Sequence, residues 1–463
     1  MENIRKYTAA VLFFATAVTA QAQELNSAYY TRNYTFRHEQ NPAIGNDHGY
    51  FSLPGIGNLN VSTHGNFGLD GVLWENKWTP QDGATTTFLN PNISAQEALS
   101  KFNDGDNKIQ GDVNVTLLSA GFKKWGGYNT IELASKTTFG TYLPYELFAF
   151  AKNTGNERYE IGDLGVTAQS YVELAFGHSR QFNEHLRLGA KLKVLIGAAR
   201  ADLKMEGVVA DLSGQAWTVS GYATADVMMK GFSYETEMEE YKSKEGSYPH
   251  VNDFDVSNAG VSGMGLALDL GAVYEINDDF TVSAAVTDLG FIHWSNDIQA
   301  CNESKTFVFG GFHDLGMHTG DGTFDERADE YTDQLMDFVN LRDNGDKGGA
   351  TRGIAATVRA GGEYALPVHR ALTFGLLSTT RLNGKYTWTE GRLSANYHAA
   401  KWLDSGVSFA MSTFGTSAGW VLNIHPKPFN LFIGMDHILG KTAKQWVPLS
   451  SNASLNVGLN VIW

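Results

Sequence analysis

The side chains that most often carry enzymatic chemistry are scattered along this chain of 463 residues. Its 13 histidines form no H-E-x-x-H pair. His178 with the adjacent Ser179, and His313, are nominal candidates for a membrane-embedded hydrolase, but the sequence offers no constellation around them. Cys301 is the only cysteine, which excludes an intramolecular disulfide and thiol-based metal sites. We predict no enzyme, no cofactor and no metal, and keep a hydrolase as a remote alternative.

Charged residues with a regular spacing are more informative. From Leu186 to Ile196 apolar residues occupy every second position and polar residues lie between them. The same alternation recurs at 166–176, 264–274 and 354–363. Side chains two positions apart share one face of a strand, and in a membrane barrel the polar face lines the lumen. The lumen candidates on these polar faces are Arg187, Lys191, Lys193, Glu173, Asp269, Arg359 and Glu363.

The C-terminal strand shows how such faces are positioned. Its apolar residues alternate with Asn456, Gly458 and Asn460, and the chain ends on an aromatic residue. A lone amphipathic strand with a free edge invites aggregation, whereas a closed barrel pairs both edges and turns the apolar face to lipid. This ending also resembles the C-terminal signal of bacterial outer-membrane barrels. The residues of this assembly signal are Leu455, Val457, Leu459, Val461 and Trp463.

The N-terminus indicates export. Arg5 and Lys6 precede an apolar run, Thr8 to Ala20, that is too short to span a bilayer, and Ala20-Gln21-Ala22 is a small-x-small cleavage site. We predict a signal peptide over residues 1–22 and outer-membrane localisation. The net charge of −15 argues against nucleic acid as a partner. The predicted partners are outer-membrane lipid and, during insertion, the barrel assembly machinery.

The alternation predicts an all-β fold, a transmembrane antiparallel β-barrel formed by residues 58–463. Sixteen candidate strands can be drawn along the chain. On one interpretation, two of these candidates, 203–212 and 429–437, extend neighbouring strands or lie in loops. Bacterial barrels have even strand numbers, so about 14 strands are expected, with 16 as the alternative.

Two regions do not have the pattern of a barrel wall. Residues 23–57 are polar and irregular, with Asn41-Pro42-Ala43 and Leu53-Pro54-Gly55 as breaks. A long excursion over 293–350 contains one predicted helix, with a capping box at Thr323 and Glu326. Its apolar stripe either binds a partner protein or packs on its own loop; the stripe residues are Phe324, Ala328, Tyr331, Leu335 and Phe338.

Several stretches together resemble an uncharacterised outer-membrane barrel family. They are Tyr34 to Ala43, Gly49 to Pro54, Thr287 to Trp294, Val358 to Tyr364, Asn430 to Asp436 and the terminal strand. That family resembles FadL-type fatty-acid transporters and the PorV/PorP-type barrels of type IX secretion. Asn41, Pro42 and Ala43 resemble a box in the N-terminal hatch of FadL-type barrels. The resemblance implies that residues 23–57 plug the lumen and that the barrel has 14 strands.

Two functions remain open on this basis. A plugged barrel with a polar lumen would pass a small or hydrophobic solute, as the FadL-type resemblance implies. A scaffold barrel would instead dock partner proteins of a secretion or envelope complex, for which the 293–350 excursion is the candidate surface. Mixed charges in the lumen fit both, because a closed lumen also needs internal ion pairs.

Overall fold

The computed structural model describes residues 24–78, 85–311, 324–438 and 452–463, so the predicted signal peptide, residues 1–22, lies outside the described residues. Strands dominate these ranges, as the alternation predicts. The strands are β1 (Tyr50–Ser52), β2 (Leu59–Gly65), β3 (Leu73–Glu75), β4 (Thr85–Thr87), β5 (Asp106–Lys124), β6 (Gly127–Pro144), β7 (Arg158–Gln181), β8 (Leu186–Asp211), β9 (Trp217–Met228), β10 (Phe232–Glu240), β11 (Ser247–Val256), β12 (Gly263–Glu275), β13 (Phe280–Trp294), β14 (Ile298–Asn302), β15 (Thr306–Phe309), β16 (Leu341–Asp346), β17 (Ala350–Gly353), β18 (Ala356–Ala365), β19 (Leu372–Leu382), β20 (Trp388–Ala400), β21 (Leu403–Ser412), β22 (Gly415–Ile424), β23 (Phe429–Met435) and β24 (Ala453–Ile462).

These strands form a closed antiparallel barrel of 14 strands. β1 and β2 together occupy the first position, and β17 and β18 together occupy the eighth. The ring closes where β24 pairs with β23 on one edge and with β1 and β2 on the other. The prediction of about 14 strands is therefore confirmed and the alternative of 16 is wrong.

The two candidates beyond these 14 are 203–212 and 216–228, which contains β9. Residues 203–212 continue β8 beyond the ring, and β9 pairs with that extension and with β14 and β15. By contrast, 429–437 contains β23, a full member of the wall. Period-two patterning marks every strand, so it does not separate a wall strand from a loop ribbon.

Burial alternates along the wall strands with apolar residues outside. In β12, Gly265, Ala267 and Asp269 are buried, whereas Leu266 and Leu268 between them are exposed. This arrangement is the reverse of a water-soluble protein, and it suits a barrel whose outer surface contacts lipid.

The two ends of the barrel differ in their connections. Trp125–Gly126, residues 182–185 and residues 401–402 are short turns at the end where the C-terminal Trp463 lies, and we call this the short-turn end. The opposite long-loop end carries the extended connections, including the two-stranded β10–β11 sheet. Short turns face the periplasm and longer loops the exterior in outer-membrane barrels.

None of the helices in the described residues is part of the barrel wall. No helix in these ranges has both the length and the apolarity to cross a membrane. The helices are α1 (Arg37–Gln40), α2 (Leu69–Val72), α3 (Ala95–Leu99), α4 (Tyr145–Lys152) and α5 (Phe324–Val339).

Helix α5 is the helix predicted in the 293–350 excursion, and Thr323 of its predicted capping box lies outside the described residues. Phe338 is buried, the Tyr331 hydroxyl donates a hydrogen bond to the Gly311 carbonyl, and Phe309 packs beside the Tyr331 ring. The stripe thus packs partly on its own loops, while Leu335 remains exposed.

The predicted boundary between an N-terminal segment (23–57) and a barrel (58–463) is displaced in the structure. Tyr50, Phe51 and Ser52 form β1, which already pairs with β24 and β5. The break at Leu53-Pro54-Gly55 separates β1 from β2. Both strands belong to the first position of the wall, because β2 also pairs with β24 and β5. The wall therefore begins at Tyr50, and only residues 24–49 form a separate segment.

Candidate functional site

The N-terminal segment, residues 24–49, lies in the lumen of the short-turn half, and charged groups hold its first residues. The Glu24 carboxylate is 2.7 Å from the Arg359 guanidinium. The backbone N–H groups of Asn26 and Ser27 donate to the Asp436 carboxylate at 2.7 and 2.6 Å. Hydrogen bonds to ionised groups are among the stronger ones, so these contacts fix the segment at its start.

Arg392 supports this anchor from the wall. Its guanidinium forms a two-pronged ion pair with Glu390, at 2.9 and 3.0 Å, and also donates to the Ser27 hydroxyl at 3.1 Å. It lies 3.6 Å from Asp436. All four side chains are buried, so each charge depends on the others for compensation.

The Asn41-Pro42-Ala43 box is seated on the barrel wall. The Asn41 side chain accepts from the Ala43 N–H at 3.0 Å and directs its amide toward the carbonyls of Ala272 and Ala284, each at 3.4 Å. Gly189 and Gly271 are cross-strand partners on β8 and β12 directly beneath it. A Cβ at Gly271 would lie 2.1 Å from the Asn41 side-chain oxygen, and one at Gly189 would lie 2.2 Å from the Pro42 carbonyl oxygen. The box therefore occupies the space that side chains at these two positions would need.

A group of five charged side chains lies at mid-barrel, and we call it the ion-pair cluster. The Lys193 ammonium lies 2.9 Å from Asp269, 2.6 Å from Asp288 and 3.4 Å from Glu173. Lys136 completes it, at 3.1 Å from Glu173 and 3.4 Å from Asp288. Five strands, β6, β7, β8, β12 and β13, each contribute one residue.

A bulge brings the fifth member in. Asp288 has a positive φ of 59°, and its N–H donates to the Asp269 carboxylate at 2.7 Å. The register between β12 and β13 shifts at this point, which turns Asp288 inward beside Thr287.

The lumen candidates lie in the ion-pair cluster, in contact with the N-terminal segment, or at the short-turn end. Glu173, Lys193 and Asp269 come together in the ion-pair cluster, and Arg359 binds Glu24 instead. Lys191 is buried and lies 3.4 Å from His38 of the segment. Arg187 and Glu363 are half-buried at the short-turn end, where Arg187 donates to Gln181.

Lys191 also fixes the state of His38. Burial lowers the pKa of His38 well below its ordinary value, and the positive charges of Lys191 and Lys193 lower it further. The ring is therefore neutral at pH 7, so its Nδ1 accepts from Lys191 at 3.4 Å and its Nε2–H donates to the Tyr50 hydroxyl at 2.7 Å.

Sequence reasoning missed five functional residues of the lumen. Lys136, Glu390 and Arg392 lie at inward positions of candidate strands, so their alternation could have identified them. Asp288 enters through a bulge, where the period is interrupted. Asp436 lies one residue past β23 and continues the buried row of Asn430 and Phe432, so its alternation could also have identified it.

The main cavity opens at the long-loop end and has a volume of about 360 Å³. The inner faces of β6, β7 and β8 and the turn at Asn383–Tyr386 enclose it. Arg200 pairs with Asp202 at 2.8 and 2.9 Å and donates to Gln169, while Lys385 lies 3.2 Å from Asp163 across the mouth. Most of its lining residues are polar or charged, and Phe139, Val166 and Leu203 add apolar surface.

A second, smaller cavity of about 30 Å³ lies deeper and shares Thr138 and Gln169 with the main one. Lys136, Asp288 and Arg381 line it, together with Glu24 of the N-terminal segment. The two cavities follow one another along β6 and β7 from the long-loop end toward the ion-pair cluster, and we call this succession the polar route. Glu24 of the N-terminal segment borders its deeper cavity.

The residues named for hydrolytic chemistry do not assemble. His178 is exposed and Ser179 is buried on the opposite face of β7, as adjacent strand residues must be. His178 Nδ1 lies 2.9 Å from the Asn129 side-chain oxygen. His313 lies outside the described residues.

Residues 42–436 match the model of DUF5723, a family of unknown function, and the chain belongs to this family. This agrees with the uncharacterised family predicted from sequence. No curated protein matches the chain.

The chain is similar to several solved structures. A TodX monoaromatic hydrocarbon channel mutant is 9% identical, with 96% of this chain and 95% of that chain covered and a TM-score of 0.45. The Ralstonia pickettii toluene transporter TbuX is 8% identical, with coverages of 92% and 91% and a TM-score of 0.41. A Pseudomonas aeruginosa FadL homologue is 11% identical, with coverages of 96% and 99% and a TM-score of 0.37.

Proposed function

We propose that this protein is a plugged outer-membrane barrel that passes a small polar solute. In this proposal residues 24–49 are the plug that keeps the resting barrel closed, and the solute enters at the long-loop end. The observation that carries the proposal is the polar route of cavities that ends at the N-terminal segment.

The contacts of the segment support its role as a plug. It meets the wall through Asp436 and Arg359 at its start and through Gly189 and Gly271 at the Asn-Pro-Ala box. Close to its end, the Gly49 N–H donates to the Trp463 carbonyl at 3.3 Å and the Trp463 N–H donates to the Gly49 carbonyl at 3.1 Å. Contacts on several sides of the wall would hold the segment across this half of the lumen.

The lining of the cavities supports a polar rather than a hydrophobic solute. Arg200, Asp202, Gln169 and Lys385 border the main cavity, and Lys136, Asp288 and Arg381 border the deeper one. An apolar molecule would have to displace water from these groups without replacing their hydrogen bonds, which is unfavourable. The FadL-type resemblance suggests passage, and the lining suggests its chemistry.

Export and membrane insertion belong to the same proposal. The mature chain would begin at Gln23, after cleavage of residues 1–22, and the barrel assembly machinery would insert it into outer-membrane lipid. Trp463, exposed at the short-turn end, would serve as an interfacial anchor.

A deletion of residues 24–48 in the mature protein tests the plug. Reconstituted in planar bilayers, the intact barrel is expected to show almost no steady conductance, and the deletion is expected to conduct. The matched control removes an equally long part of the long-loop end, Phe232 to Val256, and should stay closed because it leaves the lumen contents in place.

Folding of each variant is checked by its shift in gel mobility on heating. If the deletion does not fold, the double change Arg359→Ala and Asp436→Ala releases the start of the segment and provides the second test. Stable open channels in the intact protein, or closed barrels in every folded variant, would contradict the plug. Vesicles containing the opened barrel should admit a small sugar or amino acid faster than an alkane of equal size, and the reverse order would contradict a polar solute.

A second candidate function is a scaffold, favoured by apolar side chains exposed at the long-loop end. Leu335 and Val339 on α5 and Met238 on β10 are exposed. Affinity purification with the intact barrel would recover a stoichiometric partner in that case, and Leu335→Asp with Val339→Asp would abolish its recovery. Recovery unaffected by these changes would exclude α5 as the docking surface.

A further inference from the structure

A cluster of two histidines and one aspartate lies at the short-turn end, away from the polar route. His398 is near the end of β20, Asp404 is near the start of β21, and His425 directly follows β22. The strands are neighbours in the wall, and His398 and Asp404 are cross-strand partners. All three side chains occupy inward positions, because Asn396, Asp404 and Asn423 in the same rows are buried.

We propose that His398, Asp404 and His425 bind a divalent transition-metal ion, with zinc as the best match. Two imidazole nitrogens and one carboxylate oxygen are a ligand set that zinc uses with a fourth position left for water. One ligand atom from each residue lies within 4.8 Å of the other two. Tetrahedral zinc brings its ligand atoms within about 3.3 Å of one another, so a shift of about 1.5 Å shared among side chains closes the site.

His425 gives an independent indication. Its side chain is 8% exposed, and its Nε2 lies 2.9 Å from an Asp404 carboxylate oxygen. The direction of this approach does not form a hydrogen bond, and the buried Nε2 has no other hydrogen-bond partner. A buried polar atom without a partner is costly. His425 and Asp404 thus form a close pair, which places two of the three ligand groups side by side.

The surroundings of Asp404 suit metal binding. The Asn33 side chain, in the N-terminal segment, donates to a carboxylate oxygen of Asp404 at 3.0 Å, and the Asn423 side chain approaches the same oxygen at 3.5 Å. Donors of this kind orient a ligating carboxylate, and its other oxygen bonds to His398 Nδ1, a contact that the ion would replace. The metal would thereby join the barrel wall to residue 33 of the segment.

An ion can reach this position. A small cavity of about 10 Å³ lies between Tyr30, Arg32, His398 and Asp404. That volume is close to the minimum that holds one water molecule. The side chain of His398 is 29% exposed, so the site is open on one side.

The test uses untagged, detergent-solubilised mature protein, stripped with a chelator and titrated with Zn²⁺ by calorimetry and with Co²⁺ by visible absorption. We expect one equivalent per chain and the intense d–d bands of a four-coordinate Co²⁺ site. His398→Ala and His425→Ala should each weaken binding at least 100-fold, and Asn33→Ala should weaken it about 10-fold, the lower end of the range for outer-shell partners.

His178→Ala is the matched control, since His178 also lies near the short-turn end but hydrogen-bonds Asn129, and it should leave the affinity unchanged. Heat-dependent gel mobility verifies that each variant is folded, and Asp404→Asn replaces any ligand variant that is not. Stoichiometric binding that persists in the His398→Ala, His425→Ala double variant would overturn the proposal. So would the absence of saturable binding in the parent protein, which would leave the cluster as a hydrogen-bonded group only.

Discussion

The two halves of the barrel handle the same problem, a polar lumen, in different ways. At the short-turn end the N-terminal segment fills the space, and glycines such as Gly189 and Gly271 provide room for it. At the long-loop end the charges of the wall remain beside a cavity of about 360 Å³. The filled part of the lumen therefore lies at the short-turn end, and the largest cavity described lies at the long-loop end.

The ion-pair cluster lies between these halves and shows why the wall can carry so many charges. Lys193 alone contacts three carboxylates, and Lys136 contacts two of the same three. Removing one member of a buried group exposes the others to an uncompensated desolvation cost. Charges near the long-loop mouth, such as Lys204, are exposed and have water as an alternative partner.

The largest effect is expected from removing the strand that closes both halves. Deleting residues 455–463 takes away most of β24, which pairs with β23 and with β1 and β2. The deletion should yield degraded or unassembled protein without heat-dependent gel mobility, because no lipid-facing edge can remain unpaired. Trp463→Ala, which keeps the strand, should reduce the assembled amount only in part. Normal outer-membrane levels of the deletion would contradict the closing role of β24.

A large but local effect is expected at the ion-pair cluster. Lys193→Ala leaves Glu173, Asp269 and Asp288 with one cation, so we expect a loss of about 3–5 kcal/mol in the free energy of unfolding. Lys204→Ala on the same strand, at the exposed end, should change it by less than about 0.5 kcal/mol. Urea unfolding in detergent or lipid vesicles measures both. Equal losses would show that the charges of the buried cluster contribute no more stability than those at the exposed long-loop end.

The sequence predicts the wall of this protein better than its contents. Alternation identifies β8, β12 and β18 and assigns Lys193, Asp269 and Arg359 to the inner face, because a strand has a fixed period of two. It does not distinguish β9, a loop ribbon, from a wall strand, because both alternate. Asp288 enters the lumen through a bulge, where the period is interrupted.

The sequence also does not predict which residues the inward-facing side chains contact. Gly189 and Gly271 alternate with apolar residues, as other small residues on the polar face of a strand do. Only the position of the Asn-Pro-Ala box explains why both positions are glycine. His398, Asp404 and His425 are adjacent across strands and have no motif spacing along the chain. Contacts between strands depend on register, which a single sequence does not fix.

A moderate effect is expected at the glycine seat of the short-turn half. Gly271→Leu places a side chain where Asn41 lies, and overpacking of this kind costs about 1–3 kcal/mol. The box should be displaced, so the variant should show intermittent conductance in bilayers and faster cleavage of residues 24–49 by added protease. Gly391→Leu is the control, since no atom lies within 4 Å of a Cβ built there. A closed, protease-resistant Gly271→Leu barrel would show that the box does not hold the segment.

The smallest effect is expected at the long-loop end, where Asp333 of α5 joins the helix to the turn after β10. Its carboxylate accepts hydrogen bonds from the Lys242 N–H at 2.9 Å, the Ser243 N–H at 2.8 Å and the Ser243 hydroxyl at 2.6 Å. Burial raises the pKa of Asp333, but these three donors outweigh it and hold the pKa below its usual range. A carboxyl group with a lowered pKa in the folded state contributes its stability above the unfolded value of about 3.9 and loses it as the pH falls through the folded value.

Amide hydrogen exchange of α5 should therefore be slow and nearly constant from pH 7 to about pH 5, after correction for the intrinsic rate, and protection should fall at lower pH. Asp333→Asn should reduce protection of α5 already at pH 7 and remove most of this pH dependence, because the amide oxygen is a weaker acceptor. Asp329→Asn, on the same helix, is the control and should leave protection unchanged. The barrel strands should keep their protection in all three proteins, since the hydrogen bonds of Asp333 hold α5 to the turn after β10. Loss of protection that spreads from α5 into β5–β8 would instead mean that the long-loop end also holds the barrel together, and the contrast between the two halves would fail.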